Sequence, residues 1–320
     1  ADQELREIEM TRGDVAEAAQ LLHDAFSRPD DNAVYWIQQS ARADWPSVRS
    51  APLSVASLLH DQVFAELQSV VLTSASLALA GDFTFFRART GIGDDAETMV
   101  VDSPFDYLRQ ALLCLPVDVP TPDDERFEIL LPAVVADIAR RVPGGTLALF
   151  TSHQQLRSVH EALHHRSDLD DVRILGQGID GPRRQVLQAF SSSRRALLLG
   201  TASFWEGIDL PGDQLSCVVV VRLPFPVPSE PVYAARAERL RDPFRMLALP
   251  QATLRLKQGF GRLIRRRDDR GAVVILDARV VRRDYGRAFL EALPGATRFS
   301  GPVREVGPQI EDWLGERAGA

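Results

Sequence analysis

The stretch ALLLGTASFWEGID, residues 196–209, decides the fold. Ala196, Leu197, Leu198 and Leu199 follow one another with no polar residue between them, so a strand built from them is apolar on both faces and has to be covered on both. The run then passes directly into Gly200, Thr201, Ser203, Trp205, Gly207 and Asp209. Ligands of open parallel sheets bind beyond the carboxyl ends of the strands, and small, hydroxyl-bearing and acidic residues there can approach a phosphate or a ribose closely. An ordinary strand-to-helix turn that needs two glycines accounts for the same residues. The loop alone does not choose between the two readings.

Working outward, residues 147–150, 172–175, 217–223 and 272–276 are further short apolar runs, separated by segments of helical period. This alternation predicts an α/β fold with a parallel sheet of strand–helix–strand units and right-handed crossovers. One helix is readily placed: Ser152 can cap it, Gln155 follows three residues on, and Leu156, Val159 and Leu163 form its inward stripe. Residues 118–125, rich in Pro and Asp, are expected to cross the surface. Nearer the N-terminus, Leu5, Ile8, Val15, Ala18, Leu21, Leu22 and Ala25 recur at helical spacing. After them the sequence predicts strands over 34–37 and up to Leu53, a helix over 55–67 and a strand over 70–73. That last strand ends in Thr73, Ser74, Ala75 and Ser76, a pattern that a helix N-cap also explains.

Composition narrows the class. In 320 residues, 45% hydrophobic and 25% charged positions exclude a disordered chain, a collagen-like repeat and a membrane bundle. No apolar run approaches about 18 residues and no leader is visible, so no membrane span is expected. Two cysteines, Cys114 and Cys217, are too few for a disulfide framework and too far apart for a metal knuckle. They suit a reducing cytoplasm, and no metal ligands are assigned. The chain opens on Ala1 rather than Met, which suggests an excised fragment.

The net charge of −7 argues at first against a nucleic-acid partner, but it is unevenly spread. Residues 1–50 hold ten acids and five bases, whereas residues 255–287 hold eleven bases and four acids. Inside the basic stretch lies Q-x-x-G-R-x-x-R, formed by Gln258, Gly261, Arg262 and Arg265. A single helix over 254–267 would set Gln258, Arg262 and Arg265 on one face. Two guanidiniums presented together suit a polyphosphate, since each can fork onto anionic oxygens and stabilise charge in phosphoryl transfer. An arginine-rich solvated face explains the charge but not the glycine, and a chance match in such a chain is about one in a hundred.

Taken in order, these pieces resemble the C-terminal motor lobe of superfamily 2 helicases of the XPD/DinG type. VVLTSAS (70–76) resembles the third motif of that family, with Ser76 where threonine is usual. ALFTS (148–152) is similar to motif IV, GTASFWEGIDLPG (200–212) to motif V and QGFGRLIRR (258–266) to motif VI. SPFDY (103–107) and RLPFPVPSEP (222–231) also match stretches typical of DinG-like proteins. The resemblance covers about residues 50–290, and motifs V and VI are its specific parts.

The resemblance implies a RecA-like second lobe over residues 76–320, preceded over 1–75 by a remnant of an inserted helical arch and of the first lobe. It implies that Arg262 and Arg265 are arginine fingers for ATP, that Gln258 touches the γ-phosphate or the other lobe, and that Gly207, Asp209 and Gly261 lie near the nucleotide. Thr151, Ser152, Thr201 and Ser203 would hold phosphates of single-stranded or forked DNA, and Trp205 would stack on a base. Thr73 and Ser74 would couple the two activities. Family members move 5′ to 3′ on single strands, which implies a cytoplasmic, nucleoid-associated bacterial protein acting in DNA repair or R-loop removal.

A complete motor also needs a P-loop, G-x-x-x-x-G-K-[ST]. The one lysine, Lys257, stands between Leu256 and Gln258, and no acidic box for Mg²⁺ follows a buried strand. ATP and Mg²⁺ are therefore expected to be held mainly by a first lobe upstream. An iron–sulfur cluster is possible in the full protein but not on Cys114 and Cys217. Two other readings stay open at this point: a stand-alone nucleic-acid-binding or regulatory module that kept the fold without the motor, and an unrelated α/β enzyme whose loops imitate the motifs.

Overall fold

A computed structural model describes residues 2–27, 29–39, 45–201, 204 and 214–315. The chain forms two compact units. The first comprises Ala1–Ala78, Asp82–Thr98 and Pro226–Leu247, and the second Leu79–Gly81, Met99–Phe225 and Ala248–Ala320.

The first unit carries the long helix Asp2–Ser27 and the antiparallel strands β1 (Ala33–Gln38) and β2 (Ser47–Pro52). The helix read over 2–26 is borne out, but Val15 and Leu22 of its apolar stripe are exposed, at 63% and 44%. Among the described residues of this unit only Leu53 and Leu247 are buried apolar side chains. The helix expected over 55–67 is regular only over Ala56–Leu59 and widens to a π turn over His60–Phe64. The strand expected over 70–73 does not form. Val71 is 87% exposed there, because an apolar run with no ladder beside it has no hydrogen-bond partners to make it a strand. The helix Pro231–Glu238 belongs to this unit, and its Arg236 donates to the Leu53 carbonyl at 2.7 Å.

The second unit is a RecA-like α/β lobe. Its seven strands are β3 (Ala111–Pro116), β4 (Gly145–Leu149), β5 (Arg173–Gly176), β6 (Ala196–Gly200), β7 (Cys217–Val220), β8 (Gly271–Ile275) and β9 (Thr297–Gly301). They pair in parallel in the order β5-β6-β4-β7-β8-β3-β9. Five of the seven coincide with the apolar runs of the sequence. Alternate residues of the five interior strands β6, β4, β7, β8 and β3 enter opposite cores. Leu147, Leu198, Val218 and Val273 pack with the helices Arg183–Ser191, Leu249–Phe260 and Gly286–Ala292. Ala148, Leu197, Val219 and Val274 pack with Glu125–Arg141, His153–His164 and Val303–Gly315. Coverage on both faces is the reason these strands contain almost no polar residue.

Both cysteines lie within the sheet and are fully buried. Burial pushes the Cys114 thiol up from 9.0 to about 12 and Cys217 in the same direction. The unfolded chain therefore loses these protons first, so the thiols' contribution to stability is complete below about pH 9 and declines towards pH 12. Alkylation at neutral pH should proceed only through unfolding, and modification as fast as that of a free thiol in the native chain would contradict this placement.

Candidate nucleotide and nucleic-acid sites

Four neighbouring strands end level at the carboxyl edge of the sheet. Leu149 pairs with Gly200, the Phe150 N–H donates to the Gly200 carbonyl at 2.8 Å, and the Val221 N–H donates to that of Leu149 at 3.0 Å. The residues that leave β4 and β6 are thereby brought side by side: Thr151, Ser152 and His153 from one, Thr201 from the other.

Thr151 is exposed. The Ser152 oxygen accepts the Gln155 N–H at 3.4 Å, so this side chain caps the following helix as its sequence suggested. Thr201 is buried. Its N–H and its hydroxyl both donate to Gln177 Oε1, at 2.7 and 3.1 Å, and its oxygen lies 3.3 Å from His153 Nε2. Thr201 thus ties three loops together, while Thr151 and His153 face outward. Sequence reasoning missed His153 and Gln177; a polar side chain beside each of two candidate loops was the available signal.

Ser203, Trp205, Gly207 and Asp209 lie outside the described residues. Phe204 between them is fully buried, and a Cβ on Gly200 would come within 2.8 Å of it. Close approach of that side chain is thus one reason for glycine at the end of β6.

The same edge carries two ion pairs. Arg222 donates to Glu128 at 3.0 Å and to the Pro122 carbonyl at 2.8 Å, and Glu128 also accepts from Gln155 at 2.6 Å. Asp277, fully buried beyond β8, accepts the Leu223 N–H at 2.9 Å and three N–H groups of Arg279, the shortest at 2.7 Å.

The Q-x-x-G-R-x-x-R segment is built differently from the single helix its spacing suggests. The helix Leu249–Phe260 ends before the arginines, with Gly261 at its cap, and residues 261–270 form a turn entering β8. Gln258 therefore sits in the last helical turn, and Arg262 and Arg265 beyond it. The cause is Asp269, itself buried, whose Oδ2 accepts the N–H groups of Arg265 at 2.7 Å and Arg266 at 2.8 Å. Gln110, immediately before β3, donates to the carbonyls of Arg266 at 2.8 Å and Asp269 at 2.9 Å. Gly271 pairs with Ala111 at the start of both strands, so this turn lies at the amino edge of the sheet. The arginines consequently sit at the opposite edge from Thr151 and Thr201, not on a loop leaving a strand. Gly261 has an ordinary helical φ of −64°, and a Cβ there would meet nothing closer than 3.4 Å. Neither conformation nor packing within the chain requires glycine at that place.

Part of the local excess of base is consumed inside the lobe. Arg279 is paired with Asp277, Arg282 donates to the Val117 carbonyl at 2.6 Å and Arg287 to Glu291 at 2.6 Å. Burial lowers the Lys257 ammonium below its usual range. Thr73 and Ser74 are exposed and belong to the first unit, with the Ser74 oxygen accepting the Ser76 N–H at 3.2 Å.

Residues 135–296 match the helicase C-terminal domain family. The chain belongs to this family. Within it, the chain is similar in sequence to DinG and YoaA proteins. It is 39% identical over 290 residues to a protein of Bacillus subtilis named 3'-5' exonuclease DinG, covering 86% of this chain and 31% of that protein. It is 41% identical over 276 residues to the ATP-dependent DNA helicase YoaA of Escherichia coli, covering 85% and 42%. With the ATP-dependent helicase DinG of Mycobacterium tuberculosis it shares 36% over 278 residues, covering 83% and 41%. The lobe thus spans between 31% and 42% of the length of these relatives. A solved XPD helicase is similar at a TM-score of 0.47 and 20% identity, over 60% of this chain and 35% of that one. Among the described residues no helix is long and apolar enough to cross a membrane.

Proposed function

We propose that this lobe is the C-terminal half of the motor of an ATP-dependent DNA helicase, moving 5′ to 3′ on single-stranded or forked DNA, and that it completes an ATP site whose P-loop and Mg²⁺ ligands belong to an upstream lobe. One observation carries the reading: Arg262 and Arg265 stand on a turn whose backbone is fixed by Asp269 and Gln110, at the edge of the sheet opposite the hydroxyl-bearing loops. Nucleotide and nucleic acid then occupy different edges, and opening and closing of the cleft at one edge moves the strand held at the other. ATP supplies the phosphoryl group whose loss drives the cycle. The residues of this chain contribute positive charge where negative charge develops on the phosphates.

Several features support a partner for the first unit. The helix Asp2–Ser27 and the unpaired run 70–72 expose Phe26, Val15 and Val71, apolar side chains available to a partner. In our reading the upstream lobe and arch of the same polypeptide cover them, with Thr73 and Ser74 at the junction. An iron–sulfur cluster in the intact protein would take its cysteines from outside this chain, since Cys114 and Cys217 are strand residues with their thiols buried on the sheet. DNA repair or R-loop removal in a bacterial nucleoid is the setting this activity implies.

The strand assignment is tested with two adjacent hydroxyls. Thr151→Ala removes an exposed donor and should weaken binding of an oligodeoxythymidine strand by several-fold without changing the melting midpoint. Ser152→Ala removes the cap as well and should cost about 1 kcal/mol of stability. Fluorescence anisotropy and thermal melting read the two effects. Unchanged strand binding in both variants would remove these residues from the track.

A further inference from the structure

We propose that His160, His164 and Asp180 form a binding site for a divalent transition-metal cation of the zinc type. The three residues come from two segments. His160 and His164 are one turn apart near the end of the helix His153–His164, a spacing that places both rings on one face. Asp180 is delivered by the turn that leaves β5. Gly178 takes a left-handed φ of +71° in that turn, and the Asp180 N–H donates to the Gly176 carbonyl at 3.2 Å.

Their ligand atoms converge. His160 Nε2 lies 2.8 Å from Asp180 Oδ2 and 3.2 Å from His164 Nε2, and all three atoms lie within 4.8 Å of one another. Donors bonded to one cation at 2.0–2.2 Å at tetrahedral or octahedral angles stand about 2.8 to 3.6 Å apart, so the two spacings at His160 Nε2 are close to those of a chelate. The rings meet edge to face, with centroids 4.4 Å apart and planes at 65°, which turns the two Nε2 atoms towards each other. Protons satisfy this arrangement poorly. His160 Nε2 can carry one hydrogen, yet it faces a carboxylate and a second imidazole nitrogen. A cation engages all three lone pairs at once, leaving each ring its Nδ1–H.

The surroundings fix the donors and leave a way in. His160 is buried, and its ring lies against Gly176, where a Cβ would come within 2.8 Å of His160 Cδ2. The Gly176 N–H donates to Asp180 Oδ2 at 2.6 Å, the kind of backbone contact that orients a ligating carboxylate. His164 and Asp180 are exposed, so a cation can enter and complete its shell with water. Two imidazoles and one carboxylate select a borderline transition metal over Mg²⁺ or Ca²⁺, which prefer sites made only of oxygen. The inference does not depend on the helicase reading, because binding of the metal needs neither ATP nor DNA.

The experiment is calorimetric titration of the chelator-treated chain with zinc chloride, and separately with magnesium chloride. We expect one zinc per chain and no comparable heat from magnesium. His164→Ala and Asp180→Asn should each weaken zinc binding by at least about a hundredfold, since losing a ligand exceeds the 10–100-fold typical of its supporting contacts, whereas His165→Ala should leave it unchanged. Zinc should raise the melting midpoint of the unaltered chain and of the His165 variant but not of the other two. Equal melting midpoints of the metal-free proteins show that the variants fold. Failure of the unaltered chain to bind zinc would overturn the proposal, as would stoichiometric binding of unchanged affinity in both His164→Ala and Asp180→Asn.

Discussion

Replacing Arg262 or Arg265 by alanine in the intact protein should lower ATP turnover by about a thousandfold, the scale on which removal of an arginine finger acts. That factor corresponds to about 4 kcal/mol of transition-state stabilisation. The turn carrying both residues is held by Asp269 and Gln110 through backbone groups, and neither guanidinium belongs to the buried core. The variants should therefore keep the melting behaviour of the parent. Lysine at either place retains charge but not the fork, and should restore only part of the rate. If the two residues act on the same phosphate as one unit, the double variant should lose little more than the worse single one. The isolated 320-residue chain should turn over no ATP, because its arginines would have no P-loop to face. Turnover within about twofold of the parent for both single variants would refute the finger assignment, and DNA-stimulated hydrolysis by the isolated chain would refute the division of labour between lobes.

A second large effect is expected at Asp277, and it concerns stability rather than chemistry. The carboxylate is fully buried and accepts four N–H groups, one from Leu223 and three from Arg279. Asp277→Ala strands a backbone donor and a half-buried guanidinium together, and breaking one side of a buried pair costs about 3–5 kcal/mol. In a lobe of this size that is a fall in melting midpoint of about 10 °C. Asp277→Asn can still accept the Leu223 N–H and should lose less. Chemical denaturation of the three proteins separates the cases, and a loss below about 1 kcal/mol in the alanine variant would mean that the pair carries little of the fold.

The core was legible because burial leaves a short-range signature. Ala196 to Leu199 and the run from Val218 to Val220 have no polar residue, and each proved to be a strand covered on both faces. β3 and β9 were not read. Ala111–Pro116 closes on proline, and Thr297–Gly301 is an edge strand whose residues alternate between half-buried and exposed. The run from Val70 to Leu72 carried a strand signal without a strand, since period says nothing about whether a neighbour exists to pair with. The arginine segment carried a helical spacing, but two glycines weaken the helix there, and Asp269 captures the amides that would have continued it.

The candidate site residues divide along the same line. Residue type and order were enough to single out Gln258, Arg262, Arg265, Thr151 and Thr201, because charge and hydroxyl chemistry belong to the side chain itself. Local sequence also settled that the lobe is a doubly covered parallel sheet, since the pattern of burial repeats every few residues. Which groups meet was decided by packing. The order β5-β6-β4-β7-β8-β3-β9 is not chain order, so it sets Thr201 beside His153 and Gln177, and Gln110 beside Asp269. A turn with a left-handed glycine brings Asp180 to the two histidines. Such meetings depend on crossovers tens of residues long, whose end points are chosen by the whole core and leave no mark on the residues nearby.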